Sequence, residues 1–327
     1  MRLQTTLTGP FPRSEALVAA TRDLDRGRTT PEALEEIYVR TEREIVDLER
    51  RLGTDRRTAG YLRWADLFRP ISESWGGFTV GPITRWFETN TFYRQPILHA
   101  PPDRVAGAIA QRIPPPLRGG EPAASALVHL PGPYTLAGCL DNRSGETPEA
   151  LVHRFGRLLA EEVRELRAAG YRTFEWDEPL LVTQPPAGPA AESLVTAYRA
   201  IQEAAGDATT IVWTYFGDAA PALPVLGRLP VSVIGVDLSE TEPASLEKGI
   251  GGRGIGLGVI DSRTTLNEET GTLVAIVRRL QERAHPPAIW LGPGPPLDLL
   301  PAEPAARKLH VLAAVRDAVD PPPGRRP

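Results

Sequence analysis

The 327-residue sequence predicts an α/β fold and, within that class, a (β/α)8 TIM barrel. Three observations predict it. Short apolar runs alternate with amphipathic segments of helical length along most of the chain. The runs end in turn formers or carboxylates, as strands do where they enter the mouth of a barrel. No G-x-G-x-x-G follows the first run, so the alternative, an open doubly wound sheet with a dinucleotide site, lacks its phosphate turn.

Taken in order, Leu3–Thr8 is a β-prone run stopped by the rigid turn Gly9-Pro10-Phe11-Pro12. Ser14 is the N-cap of a helix opened by Glu15. Thr30-Pro31-Glu32 starts a second helix that runs to about Leu52, with Leu34, Ile37, Tyr38, Thr41, Ile45 and Leu48 at helical spacing. From Gly60 to Leu98 aromatics concentrate and helical periodicity fades. We expect a second barrel strand near Gly60–Val80 and a hairpin across one barrel end, its aromatics forming either a packing cluster or a lid. A short helix is expected over Asp103–Arg112 and a buried strand over Ala124–Leu130. Thr147-Pro148-Glu149 caps a helix to Ala169, followed by a strand over Arg172–Trp176 and a helix over Glu192–Ala205. Strands follow at Thr209–Tyr215, Val231–Asp237, Gly254–Ile260 and Ala288–Leu291. Between them lie a turn at Pro243–Lys248 and a helix from an Asn267 cap to about Arg283; Ala302–Val319 is the last helix. The expected organisation is one barrel over residues 1–319 and a disordered Pro-rich tail over 320–327.

Composition narrows the function classes. A net charge of -4 gives no bulk attraction for nucleic acid. No apolar run reaches membrane-spanning length and no signal peptide is recognisable, so a cytoplasmic protein is expected. Cys139 is the only cysteine, which rules out an internal disulfide and any zinc site with two Cys ligands. His99, His129, His153, His285 and His310 are scattered and read as core or surface groups, so no metal is predicted.

In a barrel, the strand ends gather Thr8, Gly9, Tyr134, Thr135, Asp177, Glu178, Trp213, Tyr215, Asp237, Asp261 and Arg263 at one mouth. Crowded acids raise one another's pKa, which suits an amino-group ligand, a general acid/base pair or a metal. Metal is the weakest of the three, because zinc favours His and Cys. Asp177, Glu178 and Tyr215 are the catalytic candidates, and the others are substrate-binding candidates. Arg63 and Arg85 interleave with the aromatics, where Arg forks pair with carboxylates. Arg13, Arg94 and Arg143 join them as candidates for an anionic tail.

Several motifs fall in the order found in one family. They are Thr5-Thr6-Leu7-Thr8-Gly9-Pro10-Phe11-Pro12-Arg13, Leu130-Pro131-Gly132-Pro133-Tyr134-Thr135, Trp176-Asp177-Glu178-Pro179, Thr214-Tyr215-Phe216-Gly217-Asp218, Gly258-Val259-Ile260-Asp261-Ser262-Arg263 and Ala306-Arg307-Lys308-Leu309. In series they resemble the cobalamin-independent methionine synthases over nearly the whole chain. The resemblance implies a barrel of the uroporphyrinogen decarboxylase/methionine synthase type. It also implies methionine biosynthesis by methyl transfer from methyltetrahydrofolate to homocysteine, with zinc activating the thiol. The Arg85–Tyr93 run resembles the amino-terminal of the family's two barrels. The family's zinc ligands fall on Trp213, Tyr215, Asp237 and Pro295, so the resemblance implies a short relative whose zinc site is lost. Its amine-binding Asp matches Asp177, whereas Pro10 stands where a Ser is expected.

Three readings follow. The first is a methyltransferase or one-carbon enzyme acting on a folate, a small amino acid or both, with methyltetrahydrofolate as a substrate and no zinc site of its own. The second is an accessory folate- or substrate-binding barrel beside a zinc-bearing methyltransferase subunit. The third is a diverged barrel enzyme such as a decarboxylase. Small-molecule substrates are expected in each, with no nucleic acid or membrane partner.

Overall fold

The computed structural model describes residues 3–321. In chain order its strands are β1 (Leu3–Thr5), β2 (Gly76–Arg85), β3 (Phe92–Asp103), β4 (Val128–Pro131), β5 (Asp141–Asn142), β6 (Thr173–Asp177), β7 (Thr209–Trp213), β8 (Val233–Asp237), β9 (Gly254–Ile260) and β10 (Ile289–Pro293). The principal helices are α1 (Glu15–Asp25), α2 (Pro31–Leu52), α3 (Pro133–Cys139), α4 (Pro148–Ala168), α5 (Gly188–Ala205), α6 (Thr270–Ala284) and α7 (Ala302–Val319). Seven strands form a curled parallel sheet in the order β1-β10-β9-β8-β7-β6-β4. Both faces of this sheet are covered, so β8 and β9 are buried along their whole length and read as near-continuous apolar runs.

The ring is completed between β1 and β4 by a segment too short and too charged to read as a strand. The Asp55 N–H donates to the Thr5 carbonyl and the Thr5 N–H donates to Asp55 Oδ2. On its other side Arg57 bridges Ala126 in parallel, donating to Ser125 and accepting from the Leu127 N–H. The buried Glu49 carboxylate at the end of α2 holds this segment by accepting from the Thr58 N–H and hydroxyl. Glu49→Ala would leave those donors unpaired and is expected to cost about 2–4 kcal/mol. Urea unfolding measures this, and an unchanged midpoint would remove Glu49 from the account of barrel closure.

The second barrel strand expected near Gly60–Val80 is therefore not there. That stretch leads into the antiparallel hairpin β2–β3, which pairs with β5 in a separate sheet. The expected hairpin across a barrel end is present, at Gly76–Asp103. Its base is tied to α4, where Glu162 accepts from the Trp75 indole and pairs with Arg104. Asp66 fixes its far end by accepting from the Phe68, Arg69 and Arg94 amides. The helix expected over Asp103–Arg112 shrinks to Ala108–Arg112, because β3 continues through Pro101 and Pro102 to Asp103.

Capping follows the sequence at Ser14, Thr30 and Thr147, each accepting from a first-turn amide. It departs at α6, where Glu269 caps in place of Asn267. Glu268 is drawn back to the Asp261 N–H and the buried Lys308, which displaces the helix start. Most of the expected 320–327 tail lies outside the described residues. Among the described residues no helix is long and apolar enough to cross a membrane.

Candidate functional site

Asp177 is the last residue of β6 and is buried at the mouth of the ring. On the facing strand end the Tyr215 hydroxyl donates to its Oδ2 at 2.7 Å, while Oδ1 has no hydrogen-bond partner. Burial pushes the Asp177 carboxyl up to about 7, with His129 opposing the shift and Glu175 adding to it. Burial first, and then the Asp177 charge, raise the Tyr215 hydroxyl well above its ordinary value, so it remains a donor.

A narrow cavity of ≈ 50 Å³ opens on Asp177 and Tyr215. Its other walls include Pro10, Pro296, Asp298 and the ring of Trp86 from the hairpin. The hairpin tip rests on the loop after β7: the Phe87 and Phe216 rings meet at a tilt of 46° with centroids 5.4 Å apart, and Phe216 meets Tyr215 edge-on at 4.7 Å. Phe87 and Phe216 both hold left-handed backbone (φ 49° and 70°), so the contact joins two strained positions. Gly9 also has positive φ, and a Cβ there would lie 2.7 Å from Pro296. The turn after β1 can approach this wall only without a side chain.

Below Asp177 the ring holds two groups that were not among the candidate site residues. Glu175 precedes Asp177 by two residues and shares its face of β6. His129, in register with Glu175 on β4, lies between the two carboxylates. Its Nδ1 is 3.5 Å from Glu175 Oε1 and its Nε2 is 3.6 Å from Asp177 Oδ2. All three side chains are buried, and neither the imidazole nitrogens nor the Glu175 oxygens have a hydrogen-bond partner. Burial pushes Glu175 up to about 8, with the Gly9 amide opposing, and lowers His129. Period-two alternation could have pointed to Glu175. Nothing in the sequence pairs it with His129.

Other candidates are placed elsewhere. Glu178 accepts from the Tyr134 and Thr135 amides at the start of α3 and from the Tyr198 hydroxyl. Its carboxylate, like Tyr134 and Thr135, braces the loops behind the mouth. Thr8 donates to the Pro293 carbonyl. Asp261 and Arg263 pair with each other, and Arg263 also pairs with Glu240. Arg63 is bound to Glu42 and Glu35 over Tyr38, on the α2 side, so it is not a mouth residue. Arg85 is exposed on the hairpin. Cys139 is partly exposed at the end of α3.

A parallel barrel with a buried carboxylate at one strand end, closed over by aromatics, places its candidate site at the carboxyl-terminal face, where β/α-barrel enzymes keep theirs. Residues 78–285 match the family model described as the cobalamin-independent synthase, N-terminal domain, and the chain belongs to that family. It is 26% identical to a methionine synthase from Sulfolobus acidocaldarius over 94% of this chain and 89% of that protein. It is 29% identical to a 5-methyltetrahydropteroyltriglutamate–homocysteine methyltransferase from Nitratidesulfovibrio vulgaris, matching 69% of this chain but 31% of that longer protein. Among solved structures it superposes on a B12-independent methionine synthase from Shewanella sp. W3-18-1 with a TM-score of 0.73, at 17% identity over 97% of both chains. A second, from Listeria monocytogenes and described as putative, gives 0.71 at 17% identity over 98% of this chain and 99% of that one. The TIM-type barrel expected from the sequence is thereby confirmed.

The four residues that the sequence resemblance sets against the family's zinc ligands are engaged in ways that do not fit the ion. The Trp213 indole fills the ring interior and donates to the Gly294 carbonyl at 2.9 Å. Tyr215 is engaged by Asp177, and the Pro295 carbonyl accepts from Ser262. Asp237 is the one carboxylate among the four, and its Oδ1 already accepts from the Ser239 amide. Among the described residues His129, Glu175 and Asp177 are grouped closely enough to hold a metal, within 4.8 Å of one another. Different imidazole nitrogens face the two carboxylates, however, and one ion can take only one of them.

Proposed function

We propose that this chain is a methionine synthase-like methyltransferase that holds an amino-acid substrate by its amine on Asp177, takes methyltetrahydrofolate as methyl donor, and works without the zinc ligands of its family. One observation carries the reading: the buried, half-unpartnered carboxylate of Asp177 at the end of β6, held by Tyr215 and facing a cavity with no cation on its walls. A buried carboxylate in that state is complementary to an ammonium group. Tyr215 fixes its orientation, Asp298 adds negative charge across the cleft, and the Trp86 face offers a cation–π wall. The cavity has room for about three or four waters, so the hairpin must shift for an amino acid to enter and then excludes water once it is seated. With no zinc to ionise a thiol, the acceptor's proton would pass to solvent, since Asp177 is paired with the amine.

Calorimetric titration with L-homocysteine, L-methionine and methyltetrahydrofolate tests the proposal. Asp177→Asn is expected to weaken amino-acid binding about 30-fold or more, the effect of removing one partner of a buried charge pair, while leaving folate binding unchanged. Equal affinities in the two proteins would refute amine binding at Asp177.

A second reading is an accessory barrel beside a zinc-bearing methyltransferase. It is favoured by the buried Trp213 indole, at a residue the resemblance sets against a zinc ligand, and by the match to about a third of the longer relative's length. A single-turnover methyl-transfer assay separates the two: transfer by the chain alone supports the first, and transfer only on adding such a methyltransferase supports the second.

A further inference from the structure

A buried carboxyl and a buried imidazole without hydrogen-bond partners, beside a second buried carboxyl held on one oxygen by Tyr215, form a state that a dry interior tolerates only if protons are placed to neutralise it. No Lys or Arg forms an ion pair with any of the three among the described residues. The groups facing Asp177 are His129 from β4, Glu175 from its own strand, Tyr198 from α5, Tyr215 from the loop after β7, and Asp298 from the turn after β10, with Arg13 beyond it. The His129 ring is packed against Tyr61 and Trp64, and Gly9 approaches its Cε1. It is thereby aligned with one nitrogen toward each carboxyl, at distances that a closure of well under ~1 Å turns into hydrogen bonds. The backbone N–H of His129 is itself pinned by the Tyr61 hydroxyl.

We propose that Glu175, His129 and Asp177 form a proton relay, in which His129 takes up the proton that Asp177 must release when an ammonium group docks on it. The Asp177 O–H bond breaks, an N–H bond forms at His129 Nε2, and the His129 Nδ1–H is held by a Glu175 oxygen. The proton stays inside the barrel and no co-reactant is required. His129 and Glu175 are positioning residues acting through Asp177, and the inference rests on the amine-binding reading of that residue. Orientation of an imidazole by a carboxylate on its second nitrogen is a general device for fixing its tautomer. The elevated carboxyls and lowered imidazole place the resting protons on the acids, as the transfer requires.

The test is the affinity for L-methionine, with n-propylamine as a probe lacking a carboxylate, measured by calorimetry from pH 6 to pH 8. With the proton retained, wild-type affinity is expected to change less than about threefold across that range. His129→Gln cannot store the proton, so it leaves for solvent, and affinity is expected to fall about tenfold per pH unit below the Asp177 pKa. Glu175→Gln keeps His129 but lowers its basicity, and its profile is expected to lie between the two. Parallel pH profiles for wild type and His129→Gln would overturn the relay while leaving amine binding intact. Undiminished binding by Asp177→Asn, or no binding of either probe to wild type, would overturn amine binding and the relay with it. One tightly held divalent ion per chain, removed by chelator and by His129→Gln, would replace the relay with a metal site.

Discussion

Gly235→Ala is expected to lower stability by about 3 kcal/mol or more, at the upper end for overpacking a rigid interior. A Cβ at this position would lie 2.2 Å and 2.4 Å from ring carbons of Trp213, and one at the neighbouring Gly256 would lie 2.5 Å from the same ring. All three lie on neighbouring strands of the parallel sheet, in register, so no backbone is free to retreat. Melting is expected to fall by roughly 5–10 °C. The decisive measurement is a double-mutant cycle with Trp213→Leu, which by itself costs a cavity of about 3–5 kcal/mol. If the ring is the obstacle, the double mutant is no less stable than Trp213→Leu alone. Additive losses would show that the glycines answer to something else. The cycle also tests whether the glycines of β8 and β9 accommodate the indole.

Glu175→Gln is expected to stabilise the protein at alkaline pH and to leave it little changed at acidic pH. In the unfolded chain this carboxyl ionises near 4.5, whereas in the folded chain burial holds its proton to about 8. Between those values the folded state binds more protons, so stability falls as pH rises through the window and has been lost above it. The difference is on the order of 3–5 kcal/mol. Thermal melts of variant and wild type should nearly coincide at pH 4.5 and separate by several degrees at pH 8.5. A constant offset across that range would mean that Glu175 is not the buried, protonated acid described above.

These two positions show what was legible. Asp177 could be found because a carboxylate followed by Glu-Pro at the end of an apolar run marks a strand end, and a strand end in a barrel faces the mouth. Glu175 lies two residues earlier, and alternation alone puts it on the same face, but Phe-Glu-Trp reads as a core strand. The charged segment Asp55-Arg56-Arg57 gave no strand signal, because its role depends on an Asp side chain standing in for a backbone acceptor. Arg63 and Arg85 were grouped by their aromatic neighbours in sequence. Their places were decided by α2, which supplies Glu35 and Glu42, and by the hairpin, which carries Arg85 outward.

The sequence by itself determined the alternation of strands and helices from β6 to α7, the caps at Ser14, Thr30 and Thr147, and the strand-end carboxylate. These are local properties: periodicity, capping chemistry and residue identity act over a few neighbouring positions. The tertiary structure alone decided that Glu178 turns to α3 while Asp177 keeps the mouth, that the hairpin closes over it, and that His129 lies between two acids. Those outcomes depend on strand register and on contacts between residues dozens of positions apart, which no local pattern specifies.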